Sequence, residues 1–249
     1  VSTQRSQVLA SRLGVALNIP IIDARWQKFP DGEIYVRADS PAEKVIICGS
    51  YLTSDDLVEL LLLKDIYNDS DISLVIPYMG YARQDKQFNP GEPLSARAVA
   101  QVLGRDVSKV LTVNVHEKSV LKYFNTKSTD ISLSIPAAKF IETLSLENPL
   151  ILSPDEGAHN LAKEVASIGN WNTDYLQKTR MSGDHVIIEP KSVQVQGRDV
   201  VILDDIISTG GTQATAASML FKQGVRSLHT IGIHGVLTSG AYARLTSAG

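Results

Sequence analysis

The sequence predicts an α/β protein of two similar domains, each a mainly parallel sheet flanked by helices. Three observations carry that expectation. Short β-branched runs recur along the chain, and each is followed by a segment with apolar residues at helical spacing. The runs are apolar throughout rather than alternating, as in strands covered on both faces of a parallel sheet. The alternation also stops near Pro136 and then restarts, which divides the chain into 1–137 and 138–249.

In the first half, Lys44-Val45-Ile46-Ile47-Cys48 reads as a buried strand, and the segment from Asp55 with Leu57, Leu60 and Leu61 as the helix after it. The run 72–76 is the next strand, closed by Pro77. From Leu94, residues Ala98, Val99 and Val102 share one helix face, and 110–115 is a further strand. In the second half, strand Leu150-Ile151-Leu152 precedes a helix with Ala158, Leu161, Ala162, Val165 and Ala166. Strand 200–203, helix 214–222 and strand 228–233 follow.

Composition narrows the function classes. The 249 residues are 43% hydrophobic and 20% charged, too apolar for disorder. Lys+Arg number 24 against 27 Asp+Glu, a net charge of −3 with no basic block, which argues against nucleic acid as partner. No apolar run approaches the ~18 residues that span a bilayer, and no signal-peptide pattern opens the chain, so no membrane partner is expected. The lone Cys48 cannot form an intrachain disulfide, which suits a reducing, cytoplasmic setting.

Open α/β sheets bind ligands beyond the carboxyl ends of their strands, so chemistry is expected just after each strand. The most informative segment is Val200-Val201-Ile202-Leu203-Asp204-Asp205-Ile206-Ile207-Ser208-Thr209-Gly210-Gly211-Thr212. Gly210 and Gly211 permit backbone conformations closed to other residues and let a ligand approach. Ser208, Thr209 and Thr212 offer hydroxyls, and the helix that follows aims free N–H groups and a positive dipole end at the same place. Such a turn cradles phosphate. Adjacent carboxylates would repel a phosphate but suit sugar hydroxyls or a cation beside it, so a sugar phosphate is the ligand class. The segment is neither a Walker A loop nor a dinucleotide fingerprint. A bare strand–turn–helix with an Asp cap would leave the second acid and the hydroxyls without a role.

This segment resembles the phosphoribosyl-diphosphate (PRPP) loop of the type I phosphoribosyltransferase fold, which serves both transfer from PRPP and its synthesis. Two further runs discriminate: Phe29-Pro30-Asp31-Gly32-Glu33-Ile34-Tyr35-Val36, and Pro77-Tyr78-Met79-Gly80-Tyr81-Ala82-Arg83-Gln84-Asp85-Lys86 with Pro90-Gly91-Glu92-Pro93-Leu94-Ser95-Ala96 after it. Asp31-Gly32-Glu33 is a turn with two acceptors beside an aromatic that can stack on a base. Arg83 offers a planar fork for phosphate and Gln84 a mixed donor and acceptor. From about Phe29 onward the chain is similar to the ribose-phosphate pyrophosphokinase family.

The resemblance implies transfer of the β,γ-diphosphoryl group of ATP to the 1-hydroxyl of ribose 5-phosphate, giving PRPP and AMP for nucleotide biosynthesis. It implies Phe29, Asp31, Gly32 and Glu33 at adenine, with Arg83 and Gln84 at the ATP phosphates and sugar. It places Asp204, Asp205, Ser208, Thr209, Gly210, Gly211 and Thr212 at ribose 5-phosphate or PRPP. In Tyr175-Leu176-Gln177-Lys178-Thr179-Arg180-Met181-Ser182-Gly183-Asp184, Lys178 and Arg180 match catalytic cations on a closing loop, Arg180 also facing ribose 5-phosphate. On its own this stretch reads as a solvated hairpin.

His116, in Val113-Asn114-Val115-His116, would by itself be a structural histidine at a strand end. Ser153-Pro154-Asp155-Glu156-Gly157 puts Ser153 and Glu156 at capping-box spacing. In the resembling family this His and this Asp ligate Mg²⁺, so His116 and Asp155 are the implied metal ligands. Asn114 departs from the aspartate common there and brings no charge. His159, His185, His229 and His234 lack motif support. The family also implies a homo-oligomer with ATP sites near subunit contacts, and further strand and helix beyond Gly249. Two rivals are a phosphoribosyltransferase that consumes PRPP and a synthetase-like regulatory subunit without turnover. The first would leave 29–33 and 83–84 idle, and the second would be expected to alter the Lys178 and Arg180 segment.

Overall fold

A computed structural model of the chain describes residues 1–182, 185–190 and 193–249, and for 178–182 and 185–189 the backbone alone. Two compact units divide it, Val1–Ile131 and Ser132–Gly249. The division falls at 131 rather than after 137, because 134–143 form a helix and not a linker. Ala137, Ala138 and Ile141 of that helix are buried in the second unit.

In chain order the first unit has α1 (Gln7–Leu17), an antiparallel hairpin of β1 (Ala24–Lys28) and β2 (Ile34–Ala38), then β3 (Lys44–Cys48), α2 (Ser54–Ile66), β4 (Asp71–Ile76), α3 (Ser95–Gly104), β5 (Lys109–Val113) and β6 (Lys127–Ile131). The last four strands form a parallel sheet in the order β3-β4-β5-β6. Helix α2 starts on a reciprocal cap: Thr53 Oγ1 accepts from Asp56 N, and Asp56 Oδ2 accepts from Thr53 N at 2.9 Å. The expected strand 110–115 stops at Val113, because Asn114 takes a positive φ of 41°, a turn conformation that asparagine tolerates.

The second unit has α4 (Ser134–Thr143), β7 (Leu150–Ser153), α5 (His159–Gly169), β8 (Asn172–Ser182), β9 (His185–Pro190), β10 (Asp199–Ile207), α6 (Gly211–Lys222), β11 (Ser227–Gly235) and α7 (Ala241–Thr246). Its sheet order is β11-β10-β7-β8-β9, parallel except for the antiparallel pair β8 and β9. Strand β10 is covered on both faces, as its unbroken apolar run predicts. Val200 and Ile202 pack with Ala216 and Leu220 of α6, whereas Val201 and Leu203 pack with α4 and α5. From β7 the chain steps to β8 on one side, and β10 lies on the other. The switch point between β7 and β10 is where an α/β sheet opens a crevice at its carboxyl edge.

The amino end of β10 is anchored differently. The buried Asp199 carboxylate accepts from Arg226 Nε at 2.8 Å and Nη2 at 2.5 Å, from Ser227 Oγ at 2.7 Å and from Glu147 N at 2.9 Å. The Arg226 fork, above all, holds this carboxyl well below the usual carboxylate range. A carboxyl depressed on folding adds stability that is present above its unfolded pKa and lost as pH falls toward the folded one. Asp199→Asn is therefore expected to cost about 2 kcal/mol at neutral pH. Urea unfolding at pH 7 and pH 3 should show the gap from wild type narrowing below about pH 4, the unfolded carboxylate range.

Candidate active site

The site in the second unit is built where β10 turns into α6. Every carbonyl in the connection is engaged by a protein donor. Ile207 O accepts from Val236 N at 3.0 Å and Leu237 N at 3.1 Å, and Ser208 O from Thr238 N at 3.1 Å. Thr209 O accepts from Arg244 Nη1, Gly210 O from Ala214 N at 2.9 Å, and Gly211 O from Thr215 Oγ1 at 2.9 Å. In a trans peptide the N–H of the next residue points opposite to the carbonyl, and among the described residues no peptide bond is cis. The N–H groups of 208–212 therefore face away from these donors, peptide by peptide. Gly210, at φ 70° and ψ 4°, caps α6, whose first N–H groups have no intrahelical partner. Thr209 and Thr212 are exposed beside them. The arrangement is an anion cradle made of backbone.

Asp204 and Asp205 lie inside β10, which runs four residues past the expected end at 203. The Asp204 oxygens accept from Gln213 Nε2 at 2.6 Å and from Asp205 N at 2.9 Å. Burial first, then the Asp205 carboxyl beside it and Asp155 further off, pushes the Asp204 carboxyl up to about 8. Two adjacent carboxyls that disfavour each other's charge suit sugar hydroxyls or a cation rather than bare phosphate.

Asp155 follows β7, the strand next to β10, and is exposed. The capping box expected from Ser153 and Glu156 does not form. Ser153 Oγ donates instead to Asp155 O at 2.7 Å, and α5 begins later, at Ala158, without a side-chain cap. Ala158 N donates to Asp155 Oδ1 at 3.1 Å, which orients that carboxylate. Among the described residues no three His, Cys, Asp or Glu side chains make a closed metal cage. Magnesium does not need one, since it binds through one or two carboxylates, substrate phosphates and its own waters. Asp155 and Asp205 both raise the Asp204 carboxyl, so this edge offers the one or two carboxylates that such an ion uses.

Lys178 and Arg180 lie on β8, where their backbones pair with Ile188 and Val186 of β9 across a hairpin with a register shift between Arg180 and Ser182. Their side chains, and the Gly183-Asp184 turn, lie outside the described residues.

In the first unit, Phe29, Asp31, Gly32 and Glu33 form the tight turn joining β1 to β2. Phe29 N donates to Glu33 O at 2.8 Å, Gly32 N to Phe29 O at 2.9 Å, and Glu33 N to Asp31 Oδ1 at 3.2 Å. Gly32 takes φ 97°, which only glycine adopts freely. The turn presents Phe29 outward, 42% exposed, edge-on to Tyr35 at 6.2 Å. Arg83 is exposed on the segment after β4. Gln84 is partly committed: its Oε1 accepts from Ser95 Oγ and its backbone O from Ala96 N, which ties this segment to the start of α3. His116 is exposed, three residues past β5. Asp130 Oδ1 braces the preceding turn by accepting from Thr112 Oγ1 at 2.6 Å and Val115 N at 2.9 Å.

Gln213, Arg244 and Asp130 had no signal in the sequence reading. Each acts through a partner far along the chain or on another element. The one local clue is Gln213, two residues into the helix that the Gly pair announces.

Residues 1–106 match the family described as the N-terminal domain of ribose phosphate pyrophosphokinase, and residues 135–244 match the phosphoribosyl transferase domain. A ribose-phosphate pyrophosphokinase of Methanosarcina acetivorans is 45% identical over 98% of this chain and 87% of its own length. One from Methanopyrus kandleri is 36% identical over 100% of this chain and 88% of its own. The crystal structure of phosphoribosylpyrophosphate synthetase from Mycobacterium smegmatis is similar with a TM-score of 0.85 at 27% identity, covering 97% of this chain and 82% of that one.

The two turn glycines should respond differently to alanine. At Gly210 a Cβ would meet a positive φ and lie 3.0 Å from Leu245 Cγ, whereas at Gly211 it would meet only Thr209 Oγ1 at 3.7 Å. Gly210→Ala is expected to lose about 1–2 kcal/mol in urea unfolding, and Gly211→Ala to stay within about 0.5 kcal/mol of wild type.

Proposed function

The chain belongs to the ribose-phosphate pyrophosphokinase family, and from that premise we propose how its residues divide the work. The reaction moves the β,γ-diphosphoryl group of ATP to the 1-hydroxyl of ribose 5-phosphate, giving PRPP and AMP. The observation that carries the assignment of residues is the row of engaged carbonyls from Ile207 to Gly211, which turns each N–H of 208–212 away from the donor on the carbonyl before it.

The sugar 5-phosphate sits on those N–H groups, with the hydroxyls of Ser208, Thr209 and Thr212 around it. Asp205 and Asp204 take the ribose hydroxyls or a sugar-bound Mg²⁺, which places the 1-hydroxyl for in-line attack on the β-phosphorus. Positioning of this kind supplies much of the acceleration in phosphoryl-type transfer, because the protein has little covalent chemistry to perform. The turn of Phe29, Asp31, Gly32 and Glu33 holds adenine by stacking and by acceptors for its exocyclic amine, and Arg83 meets the phosphates. Gln84 contributes its free amide end while its oxygen holds Ser95.

Asp155 in the second unit and His116 in the first are each a candidate ligand for Mg²⁺, which when bound would neutralise phosphate oxygens. Asn114 beside His116 brings an amide where a charge would strengthen that grip. Lys178 and Arg180 supply positive charge where it builds up between the β-phosphorus and the departing AMP oxygen. The protein works as a cytoplasmic homo-oligomer with its ATP sites near subunit contacts. Among the described residues no helix is long and apolar enough to cross a membrane.

Purified protein given ATP, Mg²⁺ and ribose 5-phosphate should release AMP and PRPP in equal amounts; ADP as the sole product would count against the assignment. Lys178→Ala should lower turnover by about 10²–10³ with an unchanged melting midpoint. Near-normal turnover in that variant would refute the role of Lys178. Phe29→Ala should raise KM for ATP by about tenfold and leave KM for ribose 5-phosphate in place, through loss of a stacking platform.

A further inference from the structure

In the carbonyl row of the phosphate loop, one member is held unlike the others. Ile207, Ser208 and Gly210 are bound by backbone N–H groups, and Gly211 by a hydroxyl one helical turn away. The Thr209 carbonyl is bound by a long side chain from another element: Arg244 of α7, through Nη1. The second terminal nitrogen of the same guanidinium, Nη2, donates to Ser239 O at 3.2 Å, so the fork clamps the loop to the segment that leads into α7. The next residue, Leu245, backs Gly210 closely enough that a Cβ there would lie 3.0 Å from its Cγ. Thr209 O and Gly210 N–H belong to one trans peptide, so the direction of the first sets the direction of the second.

We propose that Arg244 is a positioning residue for ribose 5-phosphate. It turns the Gly210 N–H toward the phosphate by holding the Thr209 carbonyl from behind, and does not itself touch the sugar. The proposal rests on the phosphate-loop reading given above. A charged donor on a neutral carbonyl makes a stronger hydrogen bond than a neutral one, which suits a peptide that has no backbone partner of its own. The guanidinium also adds a full positive charge behind the loop, on the side away from the phosphate. Lysine retains the charge and its three donors on a single nitrogen, but lacks the planar fork whose two terminal nitrogens reach Thr209 O and Ser239 O separately.

The test compares wild type, Arg244→Ala and Arg244→Lys by calorimetric titration with ribose 5-phosphate and by steady-state kinetics with each substrate varied. Arg244→Ala should weaken ribose 5-phosphate binding and raise its KM by about tenfold, with KM for ATP and kcat at saturation within about twofold of wild type. Arg244→Lys should recover part of that loss. A purely structural role would instead move both KM values and kcat together with the melting midpoint, with no rescue by lysine, and that pattern would overturn the proposal. So would wild-type binding that Arg244→Ala leaves unchanged. If wild type itself fails to bind ribose 5-phosphate, the loop reading falls first and the role of Arg244 with it. Should Arg244→Ala fold poorly, Arg244→Gln, which lacks charge and reach, reads the same split between the two substrates.

Discussion

A peptide carbonyl cut off from water needs a donor, and the donor chosen for it decides where the neighbouring N–H must point. That constraint governs the connection from β10 to α6. The backbone of 236–238, the guanidinium of Arg244 and the first turn of α6 together occupy the carbonyls of 207–211. What remains for a ligand is a concentrated set of N–H groups at the positive end of a helix. Because main chain rather than side chain forms the cradle, what it offers an anion depends on conformation. Gly210 carries that conformation in the left-handed region, with Leu245 filling the space behind it.

Beside this electropositive cradle stands an acidic edge, and the two meet at the switch point between β7 and β10. Strand β10 carries aspartates near both ends, and their environments drive them in opposite directions. Asp199 at the amino end is gripped by the Arg226 fork and stays ionised at very low pH. Asp204 toward the carboxyl end is half-buried beside a second carboxyl, and its carboxyl is pushed up instead. The first is a structural anchor. The second resists ionisation, a cost that a cation beside it would relieve.

Much of this was legible from residue order. The strands expected at 44–48, 72–76, 150–152 and 200–203 announce themselves because apolar β-branched runs have few other places to go. The segments that escaped notice have weaker patterns. Lys127-Ser128-Thr129-Asp130-Ile131 forms β6 with four polar residues before its one apolar residue, and Ser134-Ile135-Pro136 opens α4 at a place that reads as a break. The spacing of Ser153 and Glu156 suggested a cap that the chain does not use, because the Ser153 hydroxyl is buried and satisfied by Asp155 O before the helix begins. Strand β10 outran its expected end because acids look like a terminus, although a neighbouring strand can still pair with their backbone.

By itself the sequence determined the α/β class, the family, and the consecutive residues of the two turns, Ser208 to Thr212 with Asp204 and Asp205 before it and Phe29 to Glu33. All of these are written in consecutive residues whose chemistry acts over a few bonds. Only the tertiary structure decided that Gln213 holds Asp204, that Asp130 braces the turn before His116, and that Arg244 clamps Thr209 from thirty-five positions away. Those contacts pair elements brought together by burial of both faces of a sheet. A local pattern records which residues want to be buried, but not which distant donor will arrive beside a given carbonyl.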